Sequence, residues 1–140
     1  MSRGVWTRLW MALAAACLLW QPLRAQSPSV PPEWEVRDAL AALVEKTGKL
    51  DPLLDAVKPE DWVPKGAPQA YVAQWKSVKE ETSHAIRSAR ELEKEPERLT
   101  LALETYFRLQ SVDQMLVSLG EGIAKYQNPA LADLIRGAMA

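Results

Sequence analysis

Glu81-Thr82-Ser83-His84 sets a carboxylate and an imidazole three residues apart, the spacing with which helical di-iron sites aim two ligands from one turn. A complete site of that kind needs a second such pair and two further Glu, and His84 is the single histidine of the chain. With Thr82 at heptad position a and Ala85 at d, His84 falls at c on the outward side, so the spacing is read as an exposed turn and no metal is expected. Paired carboxylates can act as acid and base on a sugar. Here the richest acidic stretch, Glu91, Glu93, Glu95 and Glu97, alternates with Arg90, Lys94 and Arg98 and reads as a solvated helix end. Asp113, between Leu109 and Leu116, is expected at the edge of a packed seam with its carboxylate reaching water. Gly120-Glu121-Gly122 lacks the preceding strand that a phosphate-binding glycine loop requires, and is expected to mark a close helix contact or a kink. The one thiol, Cys17, lies in an apolar N-terminal run, which leaves the rest of the chain without thiol nucleophiles, zinc ribbons or haem attachment. No catalytic residue, metal or cofactor is expected, and the protein is read as a non-enzyme.

Aromatic side chains remain as candidate ligand or partner contacts: Trp34, Trp62, Tyr71 and Trp75. Trp62 stands in Glu60-Asp61-Trp62-Val63-Pro64, a segment punctuated by proline and acids. A Trp on an irregular segment can stack on a ring or an apolar ligand. The competing reading, and the favoured one, folds Trp62 back as a lid over a bundle end, packed on Trp34 and Trp75.

The elements that must position these residues are helical throughout, because no alternating, β-branched pattern interrupts the chain after its N-terminus. The fold class is all-α: an antiparallel helical hairpin or bundle with two long helices, about 68–95 and 97–127, and shorter flanking helices. A first helix is expected from Pro32 to Thr47 with Gly48 as its stop, and a short one from Asp51 as cap and Pro52 to about Val57. Pro59, Pro64 and Gly66 predict an irregular stretch over 58–67. In the third helix Tyr71, Trp75, Val78, Thr82, Ala85, Ala89 and Leu92 form an unbroken heptad seam. The fourth repeats Leu99, Ala102, Tyr106, Leu109, Val112, Leu116, Leu119, Ile123 and Tyr126, with Leu103 and Phe107 widening the stripe. Asn128-Pro129 predicts a last helix carrying Leu131, Leu134, Ile135 and Met139. That pattern is still running at Ala140, so the 32–140 domain is read as C-terminally incomplete, or as completed by a partner.

Residues 1–25 read as a secretory signal. Arg3 and Arg8 precede the apolar run Leu9–Trp20, and Ala25 precedes the polar Pro/Ser linker 26–31. Twelve apolar residues rise about 18 Å as a helix, short of a hydrocarbon core of about 30 Å. Cleavage is expected after Ala25, leaving no stable transmembrane segment, with the product secreted or periplasmic. A lipoprotein signal ending at Cys17 is the rival reading. It is disfavoured because Leu18-Leu19-Trp20 continue the apolar run. An uncleaved N-terminal anchor is the third.

The whole chain of 140 residues is nearly neutral, but removing Arg3, Arg8 and Arg24 leaves 14 basic residues against 18 acidic ones, a net charge of −4. That balance argues against nucleic acid as a partner. The expected function is an exported, non-catalytic interaction or assembly module for a protein partner or for its own copies. The alternative is an extracytoplasmic binding or chaperone-like module using the aromatic loop end around Trp62. Periplasmic helical-hairpin chaperones carry Leu-Thr-x-x-Gln repeats, whereas Leu99-Thr100-Leu101-Ala102-Leu103 lacks the Gln, so the chain is not placed in that family.

Overall fold

Residues 31–139 are described by the computed structural model, and the signal segment with its Cys17 and Ala25, most of the Pro/Ser linker and Ala140 lie outside them. Among the described residues there are five α-helices, one 3-10 helix and no strand. Helix α1 (Glu33–Gly48) starts after an extended Pro32, with Glu33 and Glu35 in the first turn where the helix dipole favours negative charge. Gly48 does not stop the chain in a left-handed turn. Lys49 keeps right-handed helical angles (φ −67°, ψ −15°), and α2 (Leu50–Asp55) follows at once. The helix therefore begins at Leu50 rather than at an Asp51 cap, and it brings Leu50 and Leu54, four residues apart, to one buried face.

The expected irregular stretch is mostly a 3-10 helix, Pro59–Lys65. Pro59 opens it, where a missing N–H costs nothing, and Pro64 is tolerated because a segment this short forgoes a single further i→i+3 bond. Gly66 ends it at φ 90°, the one positive φ among the described residues and a conformation natural to glycine.

The long helices are α3 (Ala70–Lys94) and α4 (Leu99–Tyr126), joined by a four-residue turn containing Pro96. They pack antiparallel, with Tyr71 opposite Gly122 and Ser88 opposite Thr105. In the α3 seam Val78, Thr82, Ala85, Ala89 and Leu92 are buried, while Tyr71 and Trp75 are half-buried. Helix α1 lies on the hairpin near its turn, where Leu40, Leu92 and Leu101 form a small core. At the other end α2, the 3-10 helix and α5 (Pro129–Met139) enclose the main core, which includes Leu54, Trp62, Leu116, Leu119, Ile123 and Ile135. Asn128 caps α5 by accepting from the Ala130 N–H at 2.9 Å, the role its sequence context implies.

The stripe expected on α4 holds only in part. Val112, Leu116, Leu119 and Ile123 are buried, but the N-terminal half buries Leu101 and Thr105 in place of Leu99 and Tyr106. A repeat averaging about 3.4 residues drifts around a helix that turns every 3.6, by roughly 20° per turn. Followed back from Val112 to Leu99, the stripe rotates off the core and ends on the outer face.

Candidate functional site

Trp62 is fully enclosed, its ring edge-on to Tyr71 at 5.6 Å and stacked near Tyr126 at 6.2 Å, with Tyr71 and Tyr126 themselves in edge contact. Its indole N–H donates to Gln127 Oε1 at 3.1 Å. The same oxygen accepts the Lys58 backbone N–H at 3.0 Å, and the Gln127 amide donates to the Ala56 carbonyl at 2.8 Å. One amide at the end of α4 thus fastens the segment between α2 and the 3-10 helix. Trp75 lies half-buried nearby, its N–H donating to the Leu54 carbonyl at 2.8 Å and the Lys79 ammonium over its ring. Trp62 has folded inward as a lid does, but on Tyr71 and Tyr126 rather than on Trp34 and Trp75. Trp34 belongs to the opposite end of the hairpin: it stands 66% exposed in the first turn of α1, whose Glu33 lines a shallow cleft with Lys94–Arg98 at the α3–α4 turn. The four aromatic candidates therefore form one cluster of three and one separate side chain. No face of Trp62 is open for a ligand to stack on.

The Glu81–His84 pair sits at the edge of the α3–α4 contact. His84 is half-buried, with Nδ1 3.8 Å from Glu81 Oε2. Glu81 Oε1 is engaged by the Arg108 guanidinium at 3.2 Å, and Arg108 also holds Glu104 at 3.0 Å. Hydrogen bonding to Glu104, reinforced by Glu81, raises the Arg108 pKa further despite the opposing effect of desolvation. A cation already occupies the carboxylate that a metal would need. Among the described residues no three His, Cys, Asp or Glu side chains are grouped closely enough to hold a metal ion. On the other side of α4, a groove of about 200 Å³ opens between α1, α4 and α5, floored by Leu43, Leu109 and Val112 with Lys46 and Asp113 among its lining residues. Asp113 is exposed.

The most distinctive surface lies on the N-terminal half of α4. Leu99, Leu103, Tyr106 and Phe107 are 71%, 48%, 57% and 60% exposed, and Val117 continues the same side at 57%. Steps of four, three, one and ten residues place all five within about 100° of one another around a helix of 3.6 residues per turn. Tyr106 and Phe107 already pack edge to face at 5.5 Å, which orders two rings on an open surface. The stripe read from the sequence includes Leu99, Leu103, Tyr106 and Phe107 but turns them inward, and it does not include Val117. The backward rotation of the stripe was the signal that could have placed them outside. Ser88 and Thr105 went unremarked as well. They hydrogen-bond across α3 and α4 at 2.8 Å, while Thr105 donates to the Leu101 carbonyl.

Compared with known proteins, the chain matches no family model, no curated protein and no solved structure at a significant level. Among the described residues no helix is long and apolar enough to cross a membrane.

Proposed function

We propose that the protein is exported and acts without catalysis, as a helical interaction or assembly module whose partner seats on the outer face of α4. The observation that carries this reading is the exposed row of Leu99, Leu103, Tyr106 and Phe107. Fractional exposures of this size on large side chains leave on the order of 500 Å² of contiguous apolar-rich surface, near the upper end of what monomeric proteins show. The export reading rests on Arg3, Arg8, the Leu9–Trp20 run and Ala25. It predicts an exported product that begins at Gln26, and a product retaining Met1 or beginning at Cys17 overturns that cleavage.

The contact face is tested with a photo-crosslinking residue placed at Phe107 in the cell that makes the protein. A discrete adduct, weakened when Leu103 is changed to Ser, is expected. Absence of any adduct, with the variant chain folded and present, overturns the interaction reading. The chaperone-like alternative was expected to use the aromatic end around Trp62, which is enclosed, so the surface left to it for holding unfolded chains is the apolar row on α4. It requires suppression of aggregation at molar excess.

A further inference from the structure

We infer that the occupant of the α4 outer face is a second copy of this chain, paired antiparallel about a twofold axis passing near Leu103; this rests on the interaction reading above and specifies its partner. A twofold contact uses one patch against itself, so the patch must tolerate its own charges and shape. From Leu99 to Val117 the centre of this face carries Leu99, Leu103, Tyr106, Phe107, Gln110 and Gln114, with no acid or base among them. Asp113 stands at its edge. The rest of the exported chain is net acidic, so two copies repel elsewhere but meet no like-charge cost here.

The spacing also fits a twofold pairing. Leu99, Leu103 and Tyr106 follow one another at intervals of four and three, the interval that keeps a seam facing a partner helix, and because α4 begins at Leu99 the two helices overlap over residues 99–107. Pairing antiparallel about Leu103 sets Leu103 against itself and Leu99 against Phe107 twice over, once on each side of the axis. Tyr106 then meets the small Thr100, which leaves room for the ring pair that Tyr106 makes with Phe107. About 500 Å² of apolar-rich side-chain surface per chain gives about 1,000 Å² for the pair, below the roughly 1,200 Å² at which standard stable interfaces begin and in the range of weak, transient ones. The surface is the size of a weak dimer's, and its centre lacks the charged groups by which a foreign partner is commonly selected.

The test uses the exported protein carrying Cys17→Ser, so that no native thiol remains in any processed form. Sedimentation at concentrations up to about 100 μM, well above the micromolar dissociation constants at the weak end of standard-size interfaces, is expected to give twice the chain mass. Leu103→Glu and, independently, Phe107→Glu should return the monomer mass with helix content unchanged and with the melting temperature that the natural chain shows at low micromolar concentration. Both positions face water in the single chain, so neither variant has a folding reason to fail. With single cysteines and a short bis-maleimide, Leu103→Cys should link to itself. Leu99→Cys and Phe107→Cys should link to each other at least fivefold faster than either links to its own kind. A monomeric mass for the unsubstituted chain overturns the inference, as does self-linking of Leu99→Cys and of Phe107→Cys as fast as their linking to each other, which marks a parallel pair. A Phe107 photo-adduct whose mass is this chain plus a different protein overturns self-pairing while the interaction reading stands. No adduct at all removes both.

Discussion

Val112, Leu116, Leu119 and Ile123, in the C-terminal half of α4, are enclosed by α3 and by the elements that follow and precede the hairpin. Leu99, Leu103, Tyr106 and Phe107, in the N-terminal half of the same helix, face outward. The two halves are similarly apolar, so residue type did not decide burial. Phase and cover did. In the C-terminal half α5, 11 residues long, folds back along α4 and extends the core around it. In the N-terminal half α1 covers only the side that carries Leu101, and the drifting stripe has rotated beyond it. One end of α4 is devoted to holding the fold and the other presents surface. That division separates variants that unfold the chain from variants that change what it touches.

The largest effect belongs to the closed end. Trp62→Ala removes a fully buried ring, two aromatic neighbours' contact and the hydrogen bond to Gln127. A loss of about 3–5 kcal/mol is expected, which for a domain of this size lowers the melting temperature by more than about 12 °C. Calorimetry or circular dichroism measures it. Trp62→Phe keeps most of the ring packing and loses the N–H, so it should fall between Trp62→Ala and the natural chain. A Trp62→Ala melting temperature within about 2 °C of the natural chain would deny the closed end its structural role and reopen Trp62 as a contact residue.

How far the sequence led differs between the same two ends. The all-α class, the hairpin and the α3 seam were legible because heptad spacing on α3 needs only one partner helix, and the adjacent turn supplies it. Asn128-Pro129 was legible because a cap and a first-turn proline act locally. The Gln127 clamp was not legible. It joins Gln127 to Ala56, Lys58 and Trp62 across some 65–71 positions, and nothing in an Asn- or Gln-containing helix end announces such partners. Trp34 was misplaced for a related reason: closeness in composition to Trp62 said nothing about which end of a hairpin roughly 40 Å long each would reach. The open face was half legible. Leu99, Leu103, Tyr106 and Phe107 stand in the sequence pattern and Val117 does not; the drift of that pattern tells that the stripe rotates, and only the positions of α1 and α5, a tertiary property, decide which end is left uncovered.

A smaller effect tests the close approach at the same closed end. A Cβ on Gly122 would lie 2.6 Å from Tyr71 Cε1, and the Tyr71 ring is held on its other sides by Trp62 and Tyr126. Gly122→Ala must displace that ring, at a cost of about 1–3 kcal/mol. Gly120→Ala, two residues earlier, meets nothing within 4 Å and gains helix propensity of up to about 1 kcal/mol. The two variants should therefore move the melting temperature in opposite directions. Equal shifts would mean that Tyr71 is not packed as tightly as the ring cluster implies.

The smallest change in stability, and the sharpest contrast with Trp62, is expected at the open end. Leu99→Ser, Leu103→Ser and Phe107→Ser each replace a side chain that is 48% exposed or more in the single chain. Apart from association, the cost of such a substitution is about 0.5 kcal/mol or less, within about 4 °C in melting temperature. Measured at low micromolar concentration, where copies are apart, the three variants should melt with the natural chain. At higher concentration the natural chain alone should gain melting temperature, because anything that binds only the folded state stabilises it by mass action. Phe107→Ser should lose that gain even though its low-concentration melting is unchanged. If it lowers melting by 5 °C or more at low concentration, Phe107 is packed within its own chain. The N-terminal half of α4 would then belong with the core after all.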